Sequence, residues 1–503
     1  MTKRTKPILL IAVLAMATIL GACSSSESPK STDNPGNAGG NPVDLEETVE
    51  LTWAVINFGK MDDAKQVSEE ISKITKEKIN VTVNLVGIDV SAWNQQMNLM
   101  LASNEKLDLV VTSPFFGYAN QVAKGQLIPL DELLAQYGAG IKSTMPEAMY
   151  NGTKVSGKIY GVPSIRDFAS DFGIIMRKDL IEAHDIDAST LGTWTDLEPV
   201  FDKIKANEPT IYPLVQNTQT QTIAQMMYQG KIDPLVDFLG VLNIEDDNLT
   251  VVNLFEQPYY KETIELVHKW YKSGYINPDV ATTTETAISL IAANKAFSSL
   301  SNMKPGFAEQ ESRPMGKEMI QVSFTDPISV STSASAYMLS IPRNSKHPEK
   351  AMELMNLIYT DPDIVNLYTN GIEGTHYVKS SDGLLTLPEG TTETGYQFNQ
   401  WQVGNNFLSH VWEGMSPDIW EQTKAFNDNA VVAKTLGFLY DMNSVKTEVA
   451  AVTNVVNKYK VGLESGVLDP SNLDKFNKEL KSAGLDKIIA EKQRQIDAWA
   501  SSK

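Results

Sequence analysis

The chain contains 503 residues and is strongly acidic, with 62 aspartates and glutamates against 43 lysines and arginines and a formal net charge of −19. A single hydrophobic core stops growing at about 250–300 residues, so this length predicts two lobes. An acidic surface repels phosphate backbones, which excludes nucleic acid from the expected partners.

The N-terminus has the features of a secretion signal. Basic residues at positions 3, 4 and 6 precede an uncharged apolar run over residues 7–20. A membrane-spanning helix needs about 20 apolar residues, so the run favours a signal peptide over the alternative, a transmembrane anchor. The segment Leu20-Gly21-Ala22-Cys23 resembles the lipobox of bacterial lipoproteins, in which the cysteine thiol receives the lipid. Because Cys23 is the only cysteine, no internal disulfide can form.

We therefore predict a signal peptide at residues 1–22, lipidation at Cys23 and an extracytoplasmic protein anchored to a membrane. Residues 24–42 are rich in Ser, Gly, Asn and Pro, a composition typical of flexible chains. Residues 23–47 are accordingly assigned to the lipidated cysteine and a flexible linker. No later stretch is long and apolar enough to cross a membrane.

Strand and helix patterns alternate after the linker. Residues 50–56 predict a strand, residues 62–78 a helix, and residues 79–85 a second strand because apolar and polar side chains alternate there. A second helix places Trp93, Met97, Met100 and Leu101 on one face, and residues 107–111 predict a third strand. This β-α-β-α-β order predicts a parallel sheet whose ligands bind beyond the carboxyl ends of its strands.

Helical signals become more frequent further along the chain. Thr195 and Glu198 fit the capping box of a helix that begins near them. Residues 263–272 predict a helix that stops at Gly274. From Pro348 onward the sequence predicts mainly helices, the last of them around residues 488–499.

Several phrases resemble the family 1 extracellular sugar-binding proteins, which are receptor subunits of ABC importers. In family order they are LDLVV at 107–111, GQLIPL at 125–130, GKIYGVP at 157–163, IIMRKDL at 174–180, TWTDL at 193–197 and IPRNSKHPEKA at 341–351. The resemblance implies an α/β type II periplasmic-binding-protein fold, with two lobes around a hinge and ligand cleft and a helical C-terminal region. The first lobe is then expected over residues 48–165 plus 333–400, and the second over 166–332 plus 401–503.

A narrower resemblance is to the LplA-type lipoprotein branch of that family. It is carried by GIEGTHY at 371–377, GNNF at 404–407 and AGLDKII at 483–489. That branch ends in its own C-terminal domain of undefined role. Together with the linker, it favours the outer face of a Gram-positive cell over a periplasm.

The sequence lacks common catalytic signatures. No His-Glu-x-x-His, Cys-x-x-Cys or Gly-x-Ser-x-Gly motif occurs, and the five histidines are scattered. Residues 152–158 nearly match a phosphate-binding loop, but Ile159 occupies the position at which Ser or Thr would hold Mg²⁺. We expect no enzymatic activity, no cofactor and no metal site.

The expected ligand is a carbohydrate. A sugar ring has an apolar face and a rim of hydroxyls, so its site combines aromatic platforms with polar side chains. Trp93, Trp401 and Trp412 fit either a platform or the hydrophobic core, and we expect Trp401 or Trp412 to face the cleft from the second lobe. The candidate ligand-binding residues are Asn57, Lys60, Asp89, Trp93, Phe115, Phe116 and Tyr118 on the first lobe, Arg166, Asp167 and Asp171 at the lobe crossing, and Gln216, Asn217, Asn302, Lys304, Trp401, Asn405 and Trp412 on the second.

The sequence thus predicts a membrane-tethered, monomeric receptor of an ABC importer that captures a carbohydrate, specifically an oligosaccharide, by hinge closure and docks on permease subunits. Two alternatives stay open. One is a surface lipoprotein enzyme that acts on envelope glycans, and the other is a ligand sensor for a signalling kinase.

Overall fold

The structure, a computed structural model, describes residues 47–501 except residues 104 and 217–220. Strands and helices alternate at its beginning, in the predicted β-α-β-α-β order. The elements up to residue 163 are β1 (Val49–Asn57), α1 (Ala64–Ile79), β2 (Val81–Asp89), α2 (Val90–Ala102), β3 (Leu109–Thr112), α3 (Tyr118–Ala123), α4 (Asp131–Tyr137), α5 (Ala139–Thr144), α6 (Glu147–Asn151), β4 (Lys154–Val155), β5 (Lys158–Ile159) and β6 (Val162–Pro163).

The middle of the chain mixes longer strands with helices. Its elements are β7 (Asp171–Arg177), α7 (Lys178–Ala183), α8 (Leu197–Asn207), β8 (Tyr212–Val215), α9 (Ile223–Tyr228), β9 (Ile232–Asp233), β10 (Leu242–Asn243), α10 (Pro258–Lys272), α11 (Ala287–Ala292), β11 (Ala296–Met303), α12 (Phe307–Met315), β12 (Met319–Ser323) and β13 (Ile328–Ser329).

The last part has two helices near its beginning, one helix in its middle and three at its end. It contains β14 (Met338–Ser340), α13 (Pro348–Thr360), α14 (Pro362–Asn370), β15 (Val378–Lys379), β16 (Leu385–Thr386), α15 (Ile419–Asp428), β17 (Val431–Val432), α16 (Lys446–Glu464), α17 (Leu473–Ala483) and α18 (Leu485–Ser501). The prediction of mainly helices after Pro348 is therefore wrong for residues 371–418, which are loops, short turns and one small hairpin.

Two sheets form the centres of two α/β lobes. The first-lobe sheet has the order β2-β1-β3-β14-β6, with β1, β2 and β3 parallel and β14 antiparallel to both of its neighbours. The second-lobe sheet has the order β12-β7-β11-β8, in which only the β11–β8 pair is parallel. Residues 51–56 of β1 are all buried, as expected for a parallel strand covered by helices on both faces.

Two predicted boundaries are shifted by local backbone chemistry. Ile79 was predicted to begin a strand but ends α1, because Asn80 adopts the left-handed conformation (φ 53°) and closes the helix. The capping box before α8 is formed by Thr193 and Asp196 rather than by Thr195 and Glu198. Asp196 accepts a hydrogen bond from the backbone nitrogen of Thr193 at 2.8 Å.

Each lobe has its own hydrophobic core. The core of the first lobe draws buried side chains from residues 51–165 and 334–403, and the main core of the second lobe from residues 172–328 and 438–496. A smaller cluster between β11, β12, α11 and α12 covers the other face of the second sheet. The division into lobes at 165, 332 and 400 stays a prediction, and Val403 is buried in the first core beyond its last boundary.

The chain segments that join the lobes are hydrogen-bonded to one another. Ser170 pairs with Ile328 across the first two segments, and β13 pairs with β17 of the third. Asn427 of α15 accepts a hydrogen bond from the backbone of Phe168 at 2.8 Å. The buried carboxylate of Asp233 accepts hydrogen bonds from Ser331 and Thr435, which ties the second and third segments to β9.

The C-terminal helices belong to the second lobe. Side chains of α16, α17 and α18, among them Val452, Phe476 and Ile488, are buried in its main core. Just before them, Leu436 and Leu439 pack against the first core, whereas Phe438 and Tyr440 are buried in the second. In the described part of the chain, none of the helices combines the length and the apolar character needed to cross a membrane.

Candidate functional site

A groove lined by residues from both lobes lies beside the joining segments. Its smaller part, the tryptophan cavity, has a volume of about 150 Å³ and is lined by Arg166, Asp167, Lys304, Pro305, Gln310, Gln400, Trp401, Asn406, His410, Val411, Trp412, Met415, Ile419, Trp420 and Thr423. Its larger part, the amide groove, has a volume of about 710 Å³ and is lined by Gln310, Arg313, Pro314, Thr369, Asn370, His376, Leu387, Thr392, Glu393, Thr394, Tyr396, Gln397, Phe398, Asn399, Gln400, Trp401 and Trp412. The two parts share four lining residues, namely Gln310, Gln400, Trp401 and Trp412.

Trp401 is held by aromatic rings of the first lobe. Its ring centroid lies 5.0 Å from that of Phe58, which directly follows β1, and 4.6 Å from that of Tyr337, which precedes β14. Trp401 was predicted to lie on the second lobe, and these contacts correct that placement. The Phe58–Trp401 pair instead lies at the carboxyl end of β1, which is where ligands of parallel sheets bind.

Trp412 is positioned by two asparagines of α14. Its Nε1 donates a hydrogen bond to Oδ1 of Asn370 at 3.0 Å. One turn earlier, Asn366 accepts from the backbone nitrogen of His410 at 2.8 Å and donates to the carbonyl of Leu408 at 3.1 Å. Because α14 packs in the first core, Trp412 also belongs to the first-lobe wall, contrary to its predicted place on the second lobe.

Trp420 adds a third indole that the sequence analysis did not single out. It lies in the first turn of α15, and its Nε1 donates to the carbonyl of Ser409 at 2.7 Å. Its ring centroid is 5.9 Å from that of Phe407. Its position follows from the loop at 405–410 rather than from any local pattern, so the sequence around it gave no signal.

A charged cluster stands where the chain leaves the first lobe. Nε of Arg166 lies 3.1 Å from Oδ1 of Asp167, and Nζ of Lys304 lies 3.7 Å from its Oδ2. One carboxylate therefore faces two cations that come from different parts of the chain. Paired charges of this kind offer several donors and acceptors to the hydroxyls of a ligand.

The opposite wall comes from the second lobe and depends on one glycine. Gly306 has a φ of 72°, and a Cβ atom on it would lie 2.5 Å from Cε of Met415 and 2.8 Å from Cδ1 of Ile419. Only glycine accepts this conformation and this close approach without strain. The approach brings Lys304 and Pro305 against the tryptophan cavity, while Gln310 and Arg313 of α12 line the amide groove.

His410 lines the tryptophan cavity as a neutral ring at physiological pH. Burial is the main cause that lowers the pKa of its imidazole, and the positive charge of Lys379 acts in the same direction. A neutral imidazole carries one donor and one acceptor nitrogen. In the sequence, His410 is one of five scattered histidines and has no distinctive spacing.

The predicted ligand-binding residues divide into those in the groove and those elsewhere. Arg166, Asp167, Lys304, Trp401 and Trp412 line the tryptophan cavity together. Gln310, Gln400, His410 and Trp420 also line it and were missed, because amides, a lone histidine and an unpaired tryptophan have no distinctive spacing.

Four predicted residues lie near the ends of first-lobe strands. Three of their side chains bond to other residues of the protein, and the fourth is exposed. Asn57 accepts a hydrogen bond from the backbone of Gly59 at 2.9 Å, and Lys60 pairs with Glu393 at 2.6 Å. Asp89 caps α2, and hydrogen bonds from Ser91 lower its pKa. Phe115 is exposed.

Other predicted residues are buried in the lobes. Trp93 is 1% exposed and Tyr118 is 0% exposed, so neither can act as a platform in this conformation, and Phe116 packs beside Trp93. Gln216 and Asn405 are also buried, and Asn405 accepts a hydrogen bond from the backbone nitrogen of Phe407 at 3.2 Å.

Asp171 and Asn302 lie on the neighbouring strands β7 and β11 of the second sheet. Asp171 is largely buried, which raises the pKa of its carboxyl. Asn302 is half-buried. Asn217 and Cys23 lie outside the described residues.

Over residues 47–501, apart from the gaps named above, His, Cys, Asp and Glu side chains form no group of three that could hold a metal ion. The groove instead combines indole faces with amides, hydroxyls and a few paired charges. This arrangement can hold a polar ligand that also has flat apolar faces.

Comparison with protein families gives two matches. Residues 59–363 match the bacterial extracellular solute-binding protein family. Residues 434–501 match a domain of unknown function, DUF3502.

Comparison with individual proteins gives relatives over the whole length. A carbohydrate ABC transporter substrate-binding protein of Streptococcus pneumoniae serotype 4 is 27% identical over 98% of this chain and 97% of its own. The polygalacturonan/rhamnogalacturonan-binding protein YtcQ of Bacillus subtilis is 20% identical over 98% of both chains.

Among solved structures, the N-glycan transport solute-binding protein NgtS of Streptococcus pneumoniae is similar with a TM-score of 0.80 and 25% identity, covering 90% of this chain and 98% of NgtS. The TM-score is 0.71 for NgtS in complex with Man1GlcNAc and 0.69 for its complex with Man5GlcNAc.

Proposed function

Because this chain belongs to the bacterial extracellular solute-binding protein family, we propose that it is the substrate-binding receptor of an ABC importer and that it captures an oligosaccharide in the groove between its lobes. The observation that carries the proposal is that Trp401 and Trp412 line both the tryptophan cavity and the neighbouring amide groove. A groove with these volumes and this chemistry suits a chain of sugar rings better than a single small solute.

The side chains around the groove match the two surfaces of a sugar. Indole rings stack against the C–H face of a ring, and amides with two donors and an acceptor suit its hydroxyls. The amide groove provides such amides at Gln397, Asn399 and Gln400. The relatives named above support the same ligand class, since their names refer to a carbohydrate, to polygalacturonan and rhamnogalacturonan, and to N-glycans.

Ligand capture is proposed to proceed by hinge closure. The walls of the tryptophan cavity come from both lobes, so a ligand that touches both stabilises the closed arrangement. The different TM-scores to one relative, 0.80 without a named glycan and 0.71 and 0.69 with one, are consistent with lobes that change their relative orientation. The Arg166–Asp167 pair lies on a segment that joins the lobes, so a change in the relative orientation of the lobes would move it.

The proposal includes a location and a mode of attachment. Membership of an extracellular family implies work outside the cytoplasm, and the lipobox-like segment supports a lipid anchor at Cys23. The closed, loaded receptor would dock on permease subunits, whereas catalysis is not part of its role.

Calorimetric titration with oligosaccharides tests the binding site. Trp412→Ala removes a platform and should weaken binding about tenfold, since aromatic stacking is worth about 0.5–1.5 kcal/mol and tenfold corresponds to about 1.4 kcal/mol. Trp412→Phe keeps an aromatic face and should lose less. Trp194→Ala is the matched control, because Trp194 packs on Phe324 in the second lobe, 4.6 Å between centroids, away from the groove. Equal losses in Trp412→Ala and Trp194→Ala would contradict the assignment.

Radiolabelled fatty acid tests the anchor. Cys23→Ser should abolish incorporation of the label and move the protein to the aqueous phase in detergent partitioning. Label on the serine variant would show that the lipid is attached elsewhere or that the segment is not a lipobox.

A further inference from the structure

The second-lobe wall of the amide groove is formed by one helix, α12. Gln310, Arg313 and Pro314 of this helix line the groove, and all its other lining residues lie between residues 369 and 412. The side chains of the three α12 residues are exposed. A ligand in this part of the groove therefore meets the second lobe through α12.

The orientation of α12 is fixed by buried residues on its other side. Ala308 and Met315 are buried, and the backbone nitrogen of Ala308 donates to Oε1 of Gln321 at 2.8 Å. Residues 310, 313 and 314 are three and four positions apart, so their side chains share one face of the helix. That face lies opposite the buried one and is directed into the groove.

Pro314 interrupts the hydrogen bonds inside α12. An α-helical carbonyl accepts from the N–H four residues further on, and proline has no N–H, so the carbonyl of Gln310 lacks this bond. The end of the helix is capped, by contrast, since the nitrogen of Gly316 donates to the carbonyl of Arg313 at 3.2 Å. Because a helical carbonyl points towards the residue four positions on, the acceptor of Gln310 lies on the groove face.

The guanidinium of Arg313 lies on the same face and is free to bind a ligand. It has no hydrogen-bond or ion-pair partner among the residues that the structure describes. The two cations of the tryptophan cavity, Arg166 and Lys304, both lie beside the carboxylate of Asp167. Five N–H groups in a planar fork are therefore available at Arg313 for the oxygen atoms of a ligand.

We propose that α12 is the element with which the second lobe holds the ligand in the amide groove. The backbone carbonyl of Gln310, left free by Pro314, accepts a hydrogen bond from a ligand hydroxyl, and the guanidinium of Arg313 donates to ligand oxygen atoms. Pro314 is thus a positioning residue, which acts by keeping an acceptor out of the helix. This inference rests on the proposed function, because it assigns binding residues to the same groove.

The probe for the test is a neutral tetrasaccharide. Cellotetraose, maltotetraose, mannotetraose and xylotetraose are titrated in a calorimeter into the unsubstituted protein, and the one that binds most tightly is used for all variants. The melting temperature of every variant is measured without ligand, so that an effect on binding is separated from an effect on folding.

Substitutions of Pro314 test the free carbonyl. Pro314→Ala and Pro314→Leu both supply an N–H that bonds to the carbonyl of Gln310 and withdraws it from the ligand. Both should weaken binding by about threefold to tenfold, the range expected for one neutral hydrogen bond, and both should raise the melting temperature because the helix gains its missing bond. A loss of affinity with a gain in stability is not the result of a structural defect.

Two controls accompany these variants. Leucine keeps an apolar side chain in the groove, so a loss that comes from the missing proline ring would be confined to Pro314→Ala. Pro258→Ala lies at the first position of α10, where a new N–H has no helical acceptor, and should leave the affinity unchanged.

Substitutions of Arg313 test the second contact. Arg313→Ala should weaken binding about tenfold, since hydrogen bonds from a charged group are stronger than neutral ones, and should leave the melting temperature unchanged because the guanidinium has no partner in the described part of the protein. Arg313→Lys keeps the charge but not the fork and should lose less. Arg343→Ala is the matched control, because Arg343 is exposed and does not line the groove.

The outcomes distinguish the inference from the proposed function. If a tetrasaccharide binds the unsubstituted protein and all Pro314 and Arg313 variants equally well, α12 does not hold the ligand, and the receptor function stands. If Pro314→Leu keeps full affinity, or if both Pro314 variants lose affinity and melt earlier, the carbonyl contact is refuted. If Arg313→Ala binds no more weakly than Arg343→Ala, the guanidinium contact is refuted. If no tetrasaccharide binds the unsubstituted protein, the proposed function and the inference fail together.

Discussion

One buried carboxylate in the C-terminal region is hydrogen-bonded to three hydroxyls of the rest of the second lobe. Glu464, the last residue of α16, is completely buried and accepts hydrogen bonds from the hydroxyls of Thr222, Tyr228 and Tyr260, the latter two at 3.1 and 3.0 Å. Burial raises the pKa of both tyrosines, so their phenols remain protonated donors. The cluster joins residues 434–501 to α9 and α10 of the second lobe.

Glu464→Ala should lower the free energy of unfolding by about 3–5 kcal/mol. The substitution leaves three buried hydroxyls without their acceptor, at about 1–3 kcal/mol each, while it removes the cost of burying the charge. Glu464→Gln keeps an acceptor oxygen of nearly the same shape and should cost clearly less. Lys460, whose Nζ lies 3.9 Å from the carboxylate, would lose its nearest charge in both variants.

Urea unfolding followed by circular dichroism measures the effect. The exposed Glu265→Ala on α10 is the control and should change the free energy of unfolding by no more than about 0.5 kcal/mol. If Glu464→Ala is as stable as that control, the cluster is not what attaches the C-terminal region. A change in the slope of the transition without a change in its midpoint would also contradict the reasoning.

Two further predictions concern backbone geometry and ionisation. Gly437→Ala should destabilise the protein more than Gly414→Ala. Both glycines have a φ near 90°, but only at Gly437 would the added Cβ lie 2.5 Å from Cα of Gly152. The melting temperatures of the two variants test this difference. Asp171→Asn should raise the melting temperature at pH 7. Burial raises the pKa of the Asp171 carboxyl, so folding disfavours its ionised form. The resulting loss of stability is fully present above the pKa in the folded protein and absent below the ordinary value of 3.8. The gain should shrink towards pH 4, and an equal gain at both pH values would point to a cause other than ionisation.

The three parallel strands of the first-lobe sheet could be predicted from sequence because they and their helices have clear periods. The alternation before Leu85 and the apolar face with Trp93 and Met97 correspond to β2 and α2. What failed was the boundary at Ile79, where the left-handed turn at Asn80 decides the end of the helix. The spacing of apolar residues does not show which single residue will adopt a positive φ, so it cannot locate this helix end.

The groove was harder to predict because its walls come from distant parts of the chain. Trp401 and Trp412 were singled out as candidates and both line the groove, but their lobe was wrong, since rings at Phe58 and Tyr337 and an amide at Asn370 decide where they stand. Contacts between residues more than 300 positions apart, such as Phe58 with Trp401, are not encoded in local spacing. Loops that carry such contacts have no period at all.

The short stretch before α16, in which Leu436 and Leu439 pack on one core while Phe438 and Tyr440 are buried in the other, has a consequence for protein engineering. A chimera that receives residues 434–501 from a relative would have to suit two cores at once. Exchange of this tail alone would therefore leave mismatched side chains on at least one lobe. The region known only as a domain of unknown function is for this reason a poor interchangeable module, and its sequence should vary together with residues of both lobes.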